Sequence, residues 1–157
     1  GKTISWKEAK AWLAKGIPVT MEINIYYGAW NSANATPLGI ERDTRSFALG
    51  EVNYPEKGSR DREVSPQKPA RHAVVLLGYD DTVEMTYEKK MMDGTTKTFS
   101  RRGVYYFKNS WGTNRFGSNF KVEGKRYPGL GSIVQDHANE LGKFTLIKLS
   151  PGSKTEE

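Results

Sequence analysis

The sequence predicts an α+β fold, mainly antiparallel β, with two helices. Three observations carry that expectation. Val19, Met21, Ile23 and Ile25 alternate with polar residues, two strand-like runs at 83–90 and 95–107 flank the turn signal Asp93-Gly94, and a helical pattern appears only towards the two ends of the chain. At 157 residues the chain has the length of one domain, enough to bury roughly 68–70% of its unfolded surface. Residues 1–149 read as that domain and 150–157 as a flexible polar tail.

Ser5 with Glu8 makes a capping box, Trp6, Ala9, Trp12 and Leu13 share one face, and Gly16 supplies a stop. Residues 6–15 are therefore expected to be an amphipathic helix with Trp6 and Trp12 in the core. Pro18 opens a strand over 19–25, half-buried by its alternation. Residues 28–70 show no period and carry Gly, Pro, Asn and Ser throughout, so they are expected to form a long loop or flap. The continuous apolar run at 73–77 predicts a strand buried on both faces. The hairpin around Asp93-Gly94 follows. Ser132 with Gln135 predicts a second helix over 133–141, ended by Gly142, with His137 solvated on it, and 144–149 is expected to be a last strand.

Composition narrows the function. The 24 basic and 18 acidic residues give a formal charge of +6, but they are interspersed, as in Arg60-Asp61-Arg62-Glu63, which argues against a nucleic-acid stripe. There is no cysteine and there are only two histidines, so the chain is expected to hold no disulfide, no thiolate nucleophile, no metal and no cofactor. Its apolar runs are too short for a membrane span. Gly1, with no leader or initiator Met before it, reads as a cut end.

Two strand ends then draw attention. His72 opens the run 73–77, and Asn109 closes a strand at 104–108 with Trp111 two residues on. An antiparallel sheet would bring both side chains to one rim, where an Asn oxygen accepting a ring N–H fixes the tautomer of an imidazole. Arg71-His72-Ala73-Val74-Val75-Leu76-Leu77-Gly78-Tyr79 and Lys108-Asn109-Ser110-Trp111-Gly112-Thr113 resemble the two signatures of the C-terminal half of papain-like cysteine peptidases. The Gly-rich closing segment from Tyr127 to Leu149 is similar to that of bacterial members.

The resemblance implies the barrel-like right-hand half of the papain fold, with two peripheral helices and no cofactor. It implies catalytic roles for His72, as the base that takes a thiol proton, and for Asn109, which orients it, with Trp111 shielding their hydrogen bond. Arg71 and Ala70 would line the substrate cleft, Arg71 favouring acidic or polar side chains. The partners implied are a Cys-bearing N-terminal half or light chain, separated by proteolytic maturation of a zymogen, a peptide or protein substrate, and a propeptide. By analogy alone the compartment would be extracellular, periplasmic or lysosome-like. Where many relatives carry a second Trp, this chain has Arg115-Phe116, which leaves the aromatic cover of the site open, and the interval from His72 to Asn109 is long, with an insertion in the hairpin. The alternative reading is a non-catalytic, peptidase-like module that binds a peptide or a partner.

Overall fold

A computed structural model describes residues 1–146. Strand β1 (Lys2–Ile4) leads into helix α1 (Trp6–Ala14), whose capping box forms as expected: Ser5 Oγ accepts the Glu8 N–H at 3.1 Å and Glu8 Oε1 accepts the Ser5 N–H at 3.0 Å. Ala9 and Leu13 are buried and Trp12 packs against the core. Trp6 is not a core residue, being 37% exposed. Its ring lies beside the Lys7 and Lys10 ammonium groups, a cation–π environment available only at the surface. Strand β2 (Val19–Asn24) buries Val19, Met21 and Ile23 and exposes Glu22 and Asn24.

Residues 28–70 are not a structureless loop. They form a 3-10 turn at Ala33–Leu38, α2 (Thr44–Leu49), β3 (Glu51–Val52), α3 (Arg60–Val64) and a 3-10 turn at Ser65–Gln67. Each piece is too short to print a hydrophobic period, yet Ser32, Asp43 and Ser59 cap their N-termini through side-chain oxygens. Tyr27, Ala35, Ile40 and Val64 give the segment a small core of its own.

Strands β4 (Arg71–Lys90) and β5 (Thr96–Lys108) make one long hairpin, so the expected strands at 73–77 and 83–90 are a single strand with irregularities after Leu76 and after Asp80. At the turn Asp93 Oδ1 accepts the Thr95 N–H at 2.9 Å. The run 73–77 is buried on one face only. Val74 and Leu76 are buried, while Val75 and Leu77 are 39% and 42% exposed, because α1 and α4 contribute to the same core on one side of the sheet. Strands β6 (Lys121–Val122) and β7 (Lys125–Arg126) form a separate ribbon.

Strand β8 (Leu130–Val134), α4 (Gln135–Leu141) and β9 (Gly142–Leu146) follow. Helix α4 starts later than expected because Ser132, Ile133 and Val134 pair with β5, and no side chain caps it. Gln135 Nε2 donates to Asp81 Oδ1 at 2.8 Å. Residues 147–149 of the expected last strand and the tail 150–157 lie outside the described residues.

The main sheet runs β1-β9-β2-β4-β5-β8-β3, antiparallel except for the β3–β8 pair. The chain is thus α+β and mostly antiparallel. Among the described residues the sheet does not close, since β1 and β3 stand at its two ends, so the barrel-like expectation is corrected to an open sheet. Among the described residues no helix is long and apolar enough to cross a membrane.

Two buried polar groups tie the segment 28–70 to this sheet. Asp61, 2% exposed, accepts from Lys89 Nζ at 2.9 Å, from the Gly28 N–H at 2.9 Å and from Ser65 Oγ at 2.7 Å. Lys89 lies on β4 and is itself buried. The Lys89 charge and these hydrogen bonds hold the carboxyl below its usual range against the opposing effect of burial. A Cβ on Gly28 would sit 2.8 Å from Asp61 Cγ and 2.9 Å from Ile40 Cγ2, so only glycine permits the approach.

His137, expected to be solvated, is fully buried. Its Nδ1–H donates to the Asn53 carbonyl at 2.7 Å, and its ring meets Tyr26 and Tyr54 edge-on. Burial holds its pKa down to about 4, so the ring is neutral at pH 7.

Two outcomes are expected. Lys89→Met strands a buried carboxylate and should cost about 3–5 kcal/mol in urea unfolding, with partial recovery on adding Asp61→Asn; an unchanged midpoint would remove the pair from its structural role. The unfolded chain protonates His137 near pH 6.5 and the folded chain near pH 4. The unfolded state therefore binds more protons between those values, and stability, full above about pH 6.5, should fall by about 3 kcal/mol as pH drops through this window. His137→Gln should flatten that slope, and a slope that survives the substitution would place its origin elsewhere.

Candidate functional site

The β4–β5 ladder decides where His72 and Asn109 meet. Antiparallel pairing sets Val75 opposite Lys108, so Asn109, one residue past the end of β5, reaches the rim where β4 begins. His72 faces the same side as Val74 and Leu76, the core side of the sheet. There His72 Nε2 and Asn109 Oδ1 lie 2.8 Å apart.

The proton can be assigned from the partners. Asn109 Oδ1 also accepts the Ser110 N–H at 2.8 Å, and a backbone amide only donates, which fixes this atom as oxygen. An amide oxygen cannot donate, so Nε2 of His72 carries the hydrogen. In the neutral ring Nδ1 is then the lone-pair nitrogen, and it makes no hydrogen bond with a described residue. Asn109 is 5% exposed, and its Nδ2 is buried without a partner among the described residues.

Aromatic rings enclose this pair. Trp111 stacks on the His72 ring at 4.6 Å between centroids and 24° between planes, leaving its own outer face exposed. Trp30, fully buried, meets His72 edge-on at 5.4 Å and also touches Trp111, Phe107 and Phe116. Phe116 is fully buried and edge-on to Trp111 at 5.7 Å. Trp30 and Phe116 thus supply aromatic cover from two loops. Gly117 makes the second loop possible: at φ 68, a Cβ there would lie 2.1 Å from the Leu130 carbonyl oxygen. Sequence reasoning missed Trp30, which stands inside the aperiodic segment; its one signal was the aromatic cluster Tyr26-Tyr27 just before it.

The residues expected to line a substrate cleft are both exposed. Arg71 is exposed, but its guanidinium bonds Asn24 Oδ1 at 3.2 Å and Glu22 Oε1 at 3.3 Å, so its charge is partly offset by β2. The Ala70 carbonyl accepts the Ile25 N–H at 2.8 Å, which joins this residue to the end of β2. Shallow grooves flank Asn109. One of about 350 Å³ is lined by Thr20, Ala73, Val75 and Ser110, and one of about 270 Å³ by Gly112, Thr113, Pro128 and Leu130. Among the described residues no cluster of His, Asp and Glu could hold a metal ion.

This arrangement can present an imidazole oriented through Nε2, with Nδ1 free of hydrogen bonds to the described residues, beside stacked and edge-on aromatic rings. No protein-family model matches the chain, and no curated protein matches it significantly.

The orientation is measurable. Nitrogen NMR of the neutral His72 ring should report the Nε2–H tautomer in the parent chain, and Asn109→Ala should admit the Nδ1–H form with a shift in the tautomer ratio of about fivefold, the worth of one hydrogen bond. Identical ratios in both proteins would mean that Asn109 does not orient the ring.

Proposed function

We propose that this chain supplies the His/Asn half of a papain-like cysteine endopeptidase and acts with a Cys-bearing half. The observation that carries the reading is the His72–Asn109 hydrogen bond at 2.8 Å under the stacked Trp111, with Nδ1 left as the accepting nitrogen. In this reading the partner's thiol gives its proton to His72 Nδ1, and the resulting thiolate, held beside an imidazolium, attacks the peptide carbonyl. The imidazolium then protonates the leaving amine, and water hydrolyses the thioester with His72 as base.

Asn109 keeps the ring directed through both transfers, so its loss would lower turnover more than substrate affinity. Trp111, Trp30 and Phe116 keep water from competing for Asn109 Oδ1. Substrate choice, the place of maturation and the compartment follow only from the family likeness.

Protein purified from its native source, treated with a thiol-directed epoxide and analysed by denaturing mass spectrometry, should contain a second, Cys-bearing chain heavier by one inhibitor mass. The same preparation carrying His72→Ala should retain the second chain and lose most of the labelling. A single unlabelled chain, inert towards peptides, would overturn the peptidase reading and favour a peptide-binding module.

A further inference from the structure

His137 is a buried titratable group that the candidate site does not use. From α4 it holds the chain that follows β3 by one hydrogen bond, Nδ1–H to the Asn53 carbonyl at 2.7 Å. With the hydrogen on Nδ1, Nε2 is the lone-pair nitrogen of the neutral ring. Nε2 is buried and has no hydrogen-bond partner among the described residues. A proton added there creates a second donor with no acceptor, a costly group to keep away from water. The charges that face the ring do not compensate. They are Asp61 and Arg62 from α3 and Lys89 from β4, two cations against one carboxylate, and that carboxylate is already bonded to Lys89 at 2.9 Å. The rings of Tyr26 and Tyr54 stand edge-on beside it. Burial, seconded by the two cations, keeps the docked ring neutral down to about pH 4.

The stretch that this ring holds, residues 53–64, is docked mainly through charge. Glu56 accepts from Arg101 of β5 through Nε at 2.7 Å and a terminal nitrogen at 2.8 Å, and also from the Tyr87 hydroxyl. Asp61 accepts from Lys89 of β4, and Arg62 donates to Glu140 of α4 at 2.8 Å. The apolar side chain Val64 turns instead towards Tyr27, Ala35 and Ile40, and Tyr54 joins the cluster of Met85, Val104 and Val134. Every charged tie weakens in the same direction. Against the opposing effect of burial, Arg101 and Lys89 hold Glu56 and Asp61 below the usual carboxylate range, and Tyr54 with Arg62 does so for Glu140. A depressed carboxylate stabilises fully above its ordinary pKa and loses that contribution as pH falls through the folded value. The contribution of His137 is full above about pH 6.5 and is lost on the way down to about pH 4, so the ring yields first.

We propose that protonation of His137 releases residues 53–64 from the β4–β5 hairpin and α4 while the seven-stranded sheet stays folded, making this stretch an acid-opened strap. The device does not depend on the peptidase reading, because neither His72 nor Asn109 takes part in it.

Amide hydrogen exchange of the full chain at several pH values, with intrinsic exchange rates divided out, tests it. The reporters are the amides of Ser59, Arg62 and Glu63, bonded within the stretch, and of Met92, which donates to the Gly58 carbonyl at 2.9 Å. Helix α3 has five residues and is too short to persist once undocked. Between pH 7 and pH 4.5 the protection of these amides should fall about fiftyfold, approaching tenfold per pH unit at the acid end, as one proton taken up per opening requires. The amides of β2, of β4 up to Leu76 and of β5 beside β8 should keep theirs. His137→Gln, which retains a donor and does not titrate, should shrink the fall to a few-fold. Equal loss in strap and sheet would mean global unfolding and overturn the proposal. So would full strap protection at pH 4.5, a parent profile without the one-proton slope, or an undiminished fall in the variant.

Discussion

The Asp61 carboxylate is the constraint on which the remaining structure depends. A carboxylate removed from water must be matched on every side, and here a Lys ammonium, a serine hydroxyl and a main-chain N–H do so. The three donors come from distant parts of the chain: β4, the 3-10 turn after α3, and the residue that follows the two tyrosines beyond β2. Satisfying one buried charge therefore folds the segment 28–70 onto the hairpin. The geometry also reaches the candidate site, because Gly28 stands two residues before Trp30, and Trp30 forms the inner wall of the His72 cage. The buried pair is thus less a source of net stability than a device that fixes one arrangement of this segment.

The site itself rests on a different principle, the fixing of an acceptor. Asn109 Oδ1 takes two hydrogen bonds, one from its own neighbour's amide and one from the imidazole. The first locks the amide so that oxygen, not nitrogen, faces the ring, and this lock makes the second directional. Aromatic stacking then limits the ring's rotation about its Cβ–Cγ bond, with Trp111 covering one face and Trp30 meeting the ring edge-on. Orientation at this position is built from three independent contacts, so no single loop conformation has to carry it.

Elements with a strong local signal were legible in the sequence. The Ser5–Glu8 box, the alternation of 19–24 and the Asp93-Gly94 turn depend on neighbours in the chain, and each formed where expected. The meeting of His72 with Asn109 was also legible, since two strand ends in an antiparallel ladder share a rim. What failed was long-range. His137 looked solvated because its helix is polar in sequence, and its burial follows from the Asn53 carbonyl, which lies 84 positions away. The run 73–77 looked buried on both faces because apolar content alone does not reveal which face the helices cover. Residues 28–70 looked unstructured because helices of five or six residues carry caps but no period, and because Asp61, read within a mixed charge run, gives no local hint of its buried partner.

The same segment joins the aromatic cage around His72 to a neighbouring cleft by one backbone step. Trp30 belongs to the aromatic cage, and Asn31, the next residue, lines a cleft of about 770 Å³ between the segment 28–60 and the outer part of the hairpin. Neither can shift without the other, because Trp30 N–H and Asn31 N–H donate to the carbonyls of Tyr26 and Gly28 in one tight turn, and Gly28 is pinned by Asp61. A rigid hinge-free link of this kind lets the hairpin extend and vary at its tip while the imidazole stays fixed. The two irregularities divide β4 itself: up to Leu76 the strand pairs with β2 and carries His72, and beyond Asp80 it continues in the ladder with β5 until Ser59 meets it at Met91. The long interval between His72 and Asn109 is thereby accommodated without disturbing their contact, since added residues on both arms of a hairpin lengthen the ladder and leave its base in register.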